Sequence, residues 1–189
     1  SYPSEHGRSF GSPPLSATWP IGLVSIQACL IFMTHRRIVT NSASNCEDLD
    51  RLLVELQKEI GTLLSMDDSE FSRLIGKLAK YIQLAQKCES ALHEGKAHLI
   101  ACMVPRLPTS DREAHAKKAE SILENLDDKL AFADSLYAHA VIRREVLGIS
   151  EEVDCDRLRR AIVIYEPVDR WGYYDKIREL EGILEEWNC

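Results

Sequence analysis

Leu49, Leu52, Leu53, Leu56, Ile60, Leu63 and Leu64 recur at three- and four-residue steps. That spacing puts them on one side of an α-helix and leaves an apolar stripe that must be buried against something else. After the break "SMDDSE", Phe71, Leu74, Ile75, Leu78, Tyr81, Ile82 and Ala85 repeat the same period. A chain of this kind is committed to helix packed on helix. Beyond residue 40 no segment alternates as a strand would.

Helix boundaries follow from capping and breaking residues. Ser44 stands three residues before Glu47 and Ser110 three before Glu113, and each pair matches a capping box. The second helix runs on, or pauses near Gly95, and then reaches "HLIACMV"; Pro105 and Pro108 end it, because proline lacks the amide and restricts its predecessor. Further helices are expected at about Asp111–Leu126, Lys129–Leu147, Glu152–Glu166 and Trp171–Trp187, with Gly148 and Pro167 between the later ones. The expectation is five to seven helices in one domain over residues 44–189, preceded by an irregular, apolar arm over residues 1–43.

The arm is distinct in composition. Residues 1–16 are rich in Ser, Pro and Gly, and residues 9–34 carry no charged residue. Its apolar core, Ile21–Met33, spans 13 residues and includes Gly22, Ser25 and Gln27. A spanning helix needs ~20 mainly apolar residues. Arg36 and Arg37 follow the apolar run, whereas a secretory signal has its positive charge before it. The segment is therefore expected to pack on the helical body, with a membrane or interfacial anchor and a remnant targeting segment as the alternatives. A chain that begins at Ser1 is also expected to be a processed form or a fragment.

Charge is unevenly placed in the 189 residues: residues 1–45 hold one acid and three bases, and the remainder holds 29 acids against 20 bases. An acidic body argues against wrapping nucleic acid, whose non-specific affinity comes from Lys and Arg neutralising phosphates. The six cysteines, at 29, 46, 88, 102, 155 and 189, form no C-x-x-C pair, and no N-x-S/T sequon occurs. In a chain long enough to bury its own core, these cysteines are expected to be reduced, apolar fillers and the address cytoplasmic.

An internal likeness appears when the last third is laid on itself with a shift of 42 residues. "AESILENLDDKLAF" from Ala119 then falls on "AIVIYEPVDRWGYY" from Ala161. Ala119 meets Ala161, Ile122 meets Ile164, Glu124 meets Glu166, Leu126 meets Val168, Asp127 meets Asp169 and Phe132 meets Tyr174. A fainter echo 34 residues earlier sets Ala85, Leu92 and Ala97 before Ala119, Leu126 and Ala131. Such periods belong to helical-hairpin solenoids.

In these residues the chain resembles the tetratricopeptide-repeat family and its longer-period relatives. The resemblance rests on the small Ala161, Leu158 three residues earlier, Pro167 at the helix end and the aromatic restart Trp171–Tyr174. It covers 111–187, and 46–104 only faintly. It departs from the family in lacking the mid-helix Leu-Gly pair, in the six-residue step from Ala161 to Pro167, and in the extra length between copies. The fold expected is all-α: antiparallel hairpins stacked in a tetratricopeptide-like array, or an irregular helical bundle. The resemblance implies a groove that binds a peptide or partner helix.

Chemistry is sparse. Glu94, His98 and Cys102 share one helix face, but a single linear face seldom surrounds a cation, and no metal or other cofactor is expected. The pairs Asp67–Asp68 and Asp127–Asp128 stand where helices start, so capping is expected rather than magnesium binding. No phosphate-cradling glycine loop, H-E-x-x-H or G-x-S-x-G occurs, and no enzymatic activity is expected. Candidate partner-binding residues are Arg143, Arg144, Arg157 and Arg160, whose guanidinium forks suit carboxylates, with Trp171 and Tyr174 as aromatic anchors. Two bland alternatives stand beside them. The arginines, with Arg159, can pair with Glu145, Glu151, Glu152 and Asp156 on a solvated face, and Trp171, Tyr173, Tyr174 and Trp187 can form a terminal core.

The expected function is a non-catalytic interaction module or scaffold for a protein or peptide, acidic ones favoured, with no nucleic acid. The alternatives are a membrane-associated subunit anchored through residues 19–33 and a secreted helical effector with disulfides.

Overall fold

The computed structural model describes residues 46–148, 150–168 and 171–189, and of Leu64 and Trp171 the backbone alone. The arm at 1–43, Ser44 with its proposed cap, Cys29 and Asp169 lie outside the described residues. Among those described the protein is all-α, with seven α-helices and no strand: α1 Leu49–Ile60, α2 Asp68–Lys87, α3 Ala91–Cys102, α4 Thr109–Leu123, α5 Lys129–Leu147, α6 Glu152–Tyr165 and α7 Trp171–Glu186. A 3-10 turn, Leu63–Ser65, follows α1.

Each helix packs on the next in sequence, and α3 also touches α1 and α5. Successive helices run antiparallel, as the side chains that join them show. Glu59 meets Lys77 and the Leu49 carbonyl accepts from Tyr81 between α1 and α2. His98 meets His115, and Arg112 donates to the Cys102 carbonyl, between α3 and α4. Arg112 meets Glu145 and Glu120 meets His139 between α4 and α5. Alternate helices run parallel. Tyr137 donates to Glu179, Asp134 pairs with Lys176 and Arg144 with Glu186, so α5 and α7 lie in register at a constant offset of 42 residues. Glu120–Arg157 and Glu124–Arg160 join α4 to α6 at offsets of 37 and 36.

Two apolar clusters share α3. Leu49, Leu53, Leu56 and Ile60 of α1 and Leu74, Leu78, Tyr81 and Ala85 of α2 close on Ala97, Ile100 and Ala101. The opposite side of α3, through Leu99 and Cys102, joins a second cluster with α4 to α7. A helix surrounded in this way is covered on nearly every side and shows no amphipathic stripe. The same holds for α5, where every residue from Ala131 to Ala140 is buried. Close approach depends on small residues: Ala97, Ala116, Ala119, Ala140 and Ala161 are fully covered. At Gly95 a Cβ would stand 2.7 Å from Leu123 Cδ2, so α3 and α4 meet at glycine.

Several expectations need correction. The Ser110–Glu113 box does not form, because Pro108 already sets the backbone and α4 begins at Thr109, leaving Ser110 inside the first turn. The caps are carboxylates: Asp67 with Glu70 closes a capping box on α2, and Asp128 accepts from the Ala131 amide at α5. Both Asp pairs thus have the capping role expected of them. The pause between α2 and α3 falls at Cys88–Ser90, with Glu89 at φ 54°, and Gly95 is helical. Phe132 is buried whereas Tyr174 is 63% exposed, so that correspondence fails, and it is Tyr173 that enters the core.

The cysteines are not all reduced. Cys46 is bonded to Cys88 and Cys155 to Cys189. Spacing alone does not disclose this, because partners 42 and 34 residues apart meet only once each hairpin has folded back. Each bond ties the open end of an antiparallel pair, α1 with α2 and α6 with α7. Cys102 is buried.

Candidate functional site

The guanidinium and carboxylate groups of α4, α5 and α6 form one polar seam. Asp154, wholly buried at the start of α6, accepts from Arg143 Nε at 3.0 Å and from Arg157 Nη1 at 2.9 Å. Arg143 also reaches Glu151 at 2.5 Å and Glu113 at 3.7 Å. Arg157 continues to Glu120 at 3.0 Å, and Glu120 in turn bonds His139. Burial alone would raise the Glu120 carboxyl; the hydrogen bond from His139 and the charge of Arg157 outweigh it and hold the group below the usual carboxylate range.

The other two candidate arginines are also engaged. Arg144 pairs with Glu186 at 3.5 Å and lies over the Trp187 ring, 4.7 Å from its centroid. Arg160 pairs with Glu124 at 3.1 Å and lies 5.3 Å from the Phe132 centroid. The structure therefore does not gather these four cations into one open groove. It distributes them between neighbouring helices, each with an acid of its own chain. Their partners come partly from nearby sequence, as Glu151 does, but Glu113, Glu120 and Glu124 come from α4, which neighbouring sequence gives no reason to choose. Of the aromatic candidates, Tyr174 is exposed, and the Trp171 side chain lies outside the described residues. Tyr173 and Trp187 belong to the core.

A second polar centre joins α5 to α7. Asp134 and Lys176 are both about 4% exposed and form an ion pair, with Tyr165 donating to Asp134 at 2.5 Å. Lys176 Nζ lies 4.9 Å from the Tyr165 ring centroid, a cation–π contact. The paired charges, the hydroxyl and the ring satisfy one another, which is how a charge is held in a core at tolerable cost. Nothing in the sequence near Asp134 or Lys176 signals the pair. The 42-residue offset is its sole trace.

Glu94, His98 and Cys102 do not converge. Glu94 and His98 approach at 3.8 Å, but Cys102 faces the core and donates to the Leu99 carbonyl, while Glu94 accepts from Gln86 and His98 turns to His115. Among the described residues no group of three or more His, Cys, Asp or Glu side chains is arranged to hold a metal ion. None of the described helices is long and apolar enough to cross a membrane.

Among the described residues, the large apolar ones exposed on the surface are Val146 and Leu147 at the end of α5, Val153 and Val163 on α6, and Tyr174 on α7. A different surface stands out by charge. From Phe71 to Cys88 there are four bases and no acid, and Arg73, Lys77, Lys80 and Lys87 are all exposed. Net charge conceals this strip; a running count of signs discloses it.

Comparison with known protein families, with curated proteins and with solved structures finds no match.

Proposed function

We propose that this protein is a non-catalytic interaction module, a scaffold of stacked helical hairpins that receives a protein partner on its outer helix faces. The parallel register of α5 with α7, at a constant offset of 42 residues, carries this reading. Such regular repetition of hairpins generates extended surface rather than an enclosed pocket. It also accords with the tetratricopeptide-like pattern around Ala161 and Pro167. The titratable groups best suited to chemistry, Glu120, His139, Asp134 and Lys176, are occupied with one another inside the packing. The test is photo-crosslinking in native extract from single positions on different faces, such as Lys80, Val163 and Tyr174. One partner joined from one face is expected. Failure to join any partner from any face would overturn the reading.

The two disulfides favour an oxidising compartment over the cytoplasmic address, because such bonds are rare where thiols are kept reduced. A secreted helical protein is then the better setting for the same scaffold. Thiol titration in denaturant of protein from its natural source separates the two: at most two reactive thiols are expected for an exported protein, and six would restore the cytoplasmic reading.

A further inference from the structure

The solvent face of α2 is built unlike the rest of this acidic molecule. Arg73, Lys77, Lys80 and Lys87 follow one another at steps of four, three and seven residues, which keeps them on one side of the helix for about 21 Å. Lys77 pairs with Glu59 of α1 at 2.5 Å. Arg73, Lys80 and Lys87 have no ion-pair partner among the described residues, in contrast to Arg143, Arg144, Arg157 and Arg160.

Beside the cations, Ser72, Gly76, Ala79 and Gln83 occupy the same exposed side at steps of four, three and four. They are short or uncharged. Gly76 stands in the middle of a 20-residue helix, and a Cβ there would meet nothing within 4 Å. A glycine inside a helix weakens it, and no neighbour within the described residues requires this one. Close passage of another backbone would.

We propose that the exposed face of α2, from Ser72 to Lys87, is the docking strip for an acidic helical segment of a partner protein. This rests on reading the chain as an interaction module. Charge complementarity selects an acidic occupant, and the narrowness of the strip selects a helix. Carboxylates at three- and four-residue steps along a helix would face the cations in turn, while its backbone lay over Gly76 and Ala79. A bilayer fits less well. None of the exposed large apolar residues is on α2, and a flat anionic surface would also meet the exposed acids Asp68 and Glu70 in the first turn of the same helix. Nor does the strip carry an exposed aromatic ring on which a nucleic-acid base could stack.

The probe is a fluorescein-labelled, end-capped, alanine-based peptide with Glu at positions matching 73, 77, 80 and 87, followed by anisotropy on the full-length, disulfide-bonded protein. Micromolar binding is expected, weakened about tenfold between low and moderate salt, and absent for the same peptide with Gln. Charge reversal by Arg73→Glu with Lys80→Glu should weaken binding at least about tenfold, and Lys117→Glu with Lys118→Glu on α4 should leave it unchanged. Gly76→Leu retains every charge and favours the helix, yet should weaken binding about fivefold by blocking close approach. Circular dichroism confirms that each variant is folded. The proposal falls if the Arg73/Lys80 reversal leaves peptide affinity intact. It falls equally if phosphatidylserine vesicles or a short DNA duplex bind the native protein more tightly than the peptide does and lose binding on the same reversal. A partner joined from Tyr174 but not from Lys80 would remove the α2 strip and leave the module reading standing.

Discussion

The imidazoles of His98 and His115 face each other across the α3–α4 interface, Nδ1 to Nδ1 at 2.7 Å. One hydrogen links them, so at least one ring must be neutral for the contact to hold. Burial is the main cause that lowers both pKa values, taking His98 to about 4; Lys118 adds to the effect at His98, while Glu94 and Asp111 oppose it at His98 and His115 respectively. A histidine held neutral by the fold takes up its proton on unfolding. The stability it contributes is therefore complete above the ordinary histidine pKa and is lost as pH falls from about 6.5 towards 4. The urea midpoint should drop over that window. His98→Gln with His115→Gln should remove a part of the drop worth roughly 1–2 kcal/mol, the partly exposed position of His115 keeping it below the full shift. An unchanged pH profile in the double variant would refute this account.

Two glycines within helices should respond in opposite directions to the same substitution. At Gly95 an added methyl meets Leu123 Cδ2 at 2.7 Å and Cγ at 2.8 Å, so α3 and α4 must move apart or Leu123 must leave its rotamer. Gly95→Ala should destabilise by about 1–3 kcal/mol despite the better helix propensity of alanine. At Gly76 the methyl enters open space, and Gly76→Ala should stabilise by up to about 1 kcal/mol. Thermal melts of the two variants decide the matter, and equal shifts would contradict the close α3–α4 contact.

What sequence discloses here is whatever local periodicity and capping can encode. The stripes of α1 and α2 are plain because those helices have one covered side, and α5 to α7 fall close to their expected bounds because Asp128, Gly148 and Pro167 mark them. α3 is harder, since a helix covered on nearly every side has no polar face to give period; α5, covered likewise, is legible from its boundary residues alone. The Ser110 box shows a different limit, as a good local signal lost to the preceding proline. Ionic partners were legible only where they were near: Glu151 for Arg143 and Glu152 with Asp156 for Arg159. The acids of α4 that complete the seam reach Arg143, Arg157 and Arg160 through the fold, and so do the cysteine pairs.

Both disulfides should be large contributors to stability. In the chain-entropy view, closing loops of 42 and 34 residues restricts the unfolded chain by about 4 kcal/mol each. Cys46→Ser with Cys88→Ser frees the α1–α2 end, and Cys155→Ser with Cys189→Ser frees the C-terminal end. Each double variant should lose about 2–4 kcal/mol by urea denaturation. The second should also speed hydrogen exchange in α7, whose end is tied to α6 by that bond together with the Arg159 donation to the Cys189 carbonyl at 2.7 Å. Unaltered protection in α7 would mean that packing of Leu180, Ile183 and Trp187 holds the helix without the staple.

The Asp134–Lys176 pair allows a sharper separation of cause. Because both groups are buried, removing one takes from the other the charge that this pair supplies inside the core. Asp134→Leu or Lys176→Met alone should therefore cost about 3–5 kcal/mol. Replacing both, as Asp134→Leu with Lys176→Met, removes both charges and should recover most of the loss, although Tyr165 then gives up its acceptor at a cost of about 1–2 kcal/mol. A double-mutant cycle by urea denaturation measures the coupling. Strong coupling with near-native stability of the double variant would make the pair a device that fixes the α5–α7 register rather than a net source of stability. Additive losses would instead show that α5 and α7 depend on each charge separately.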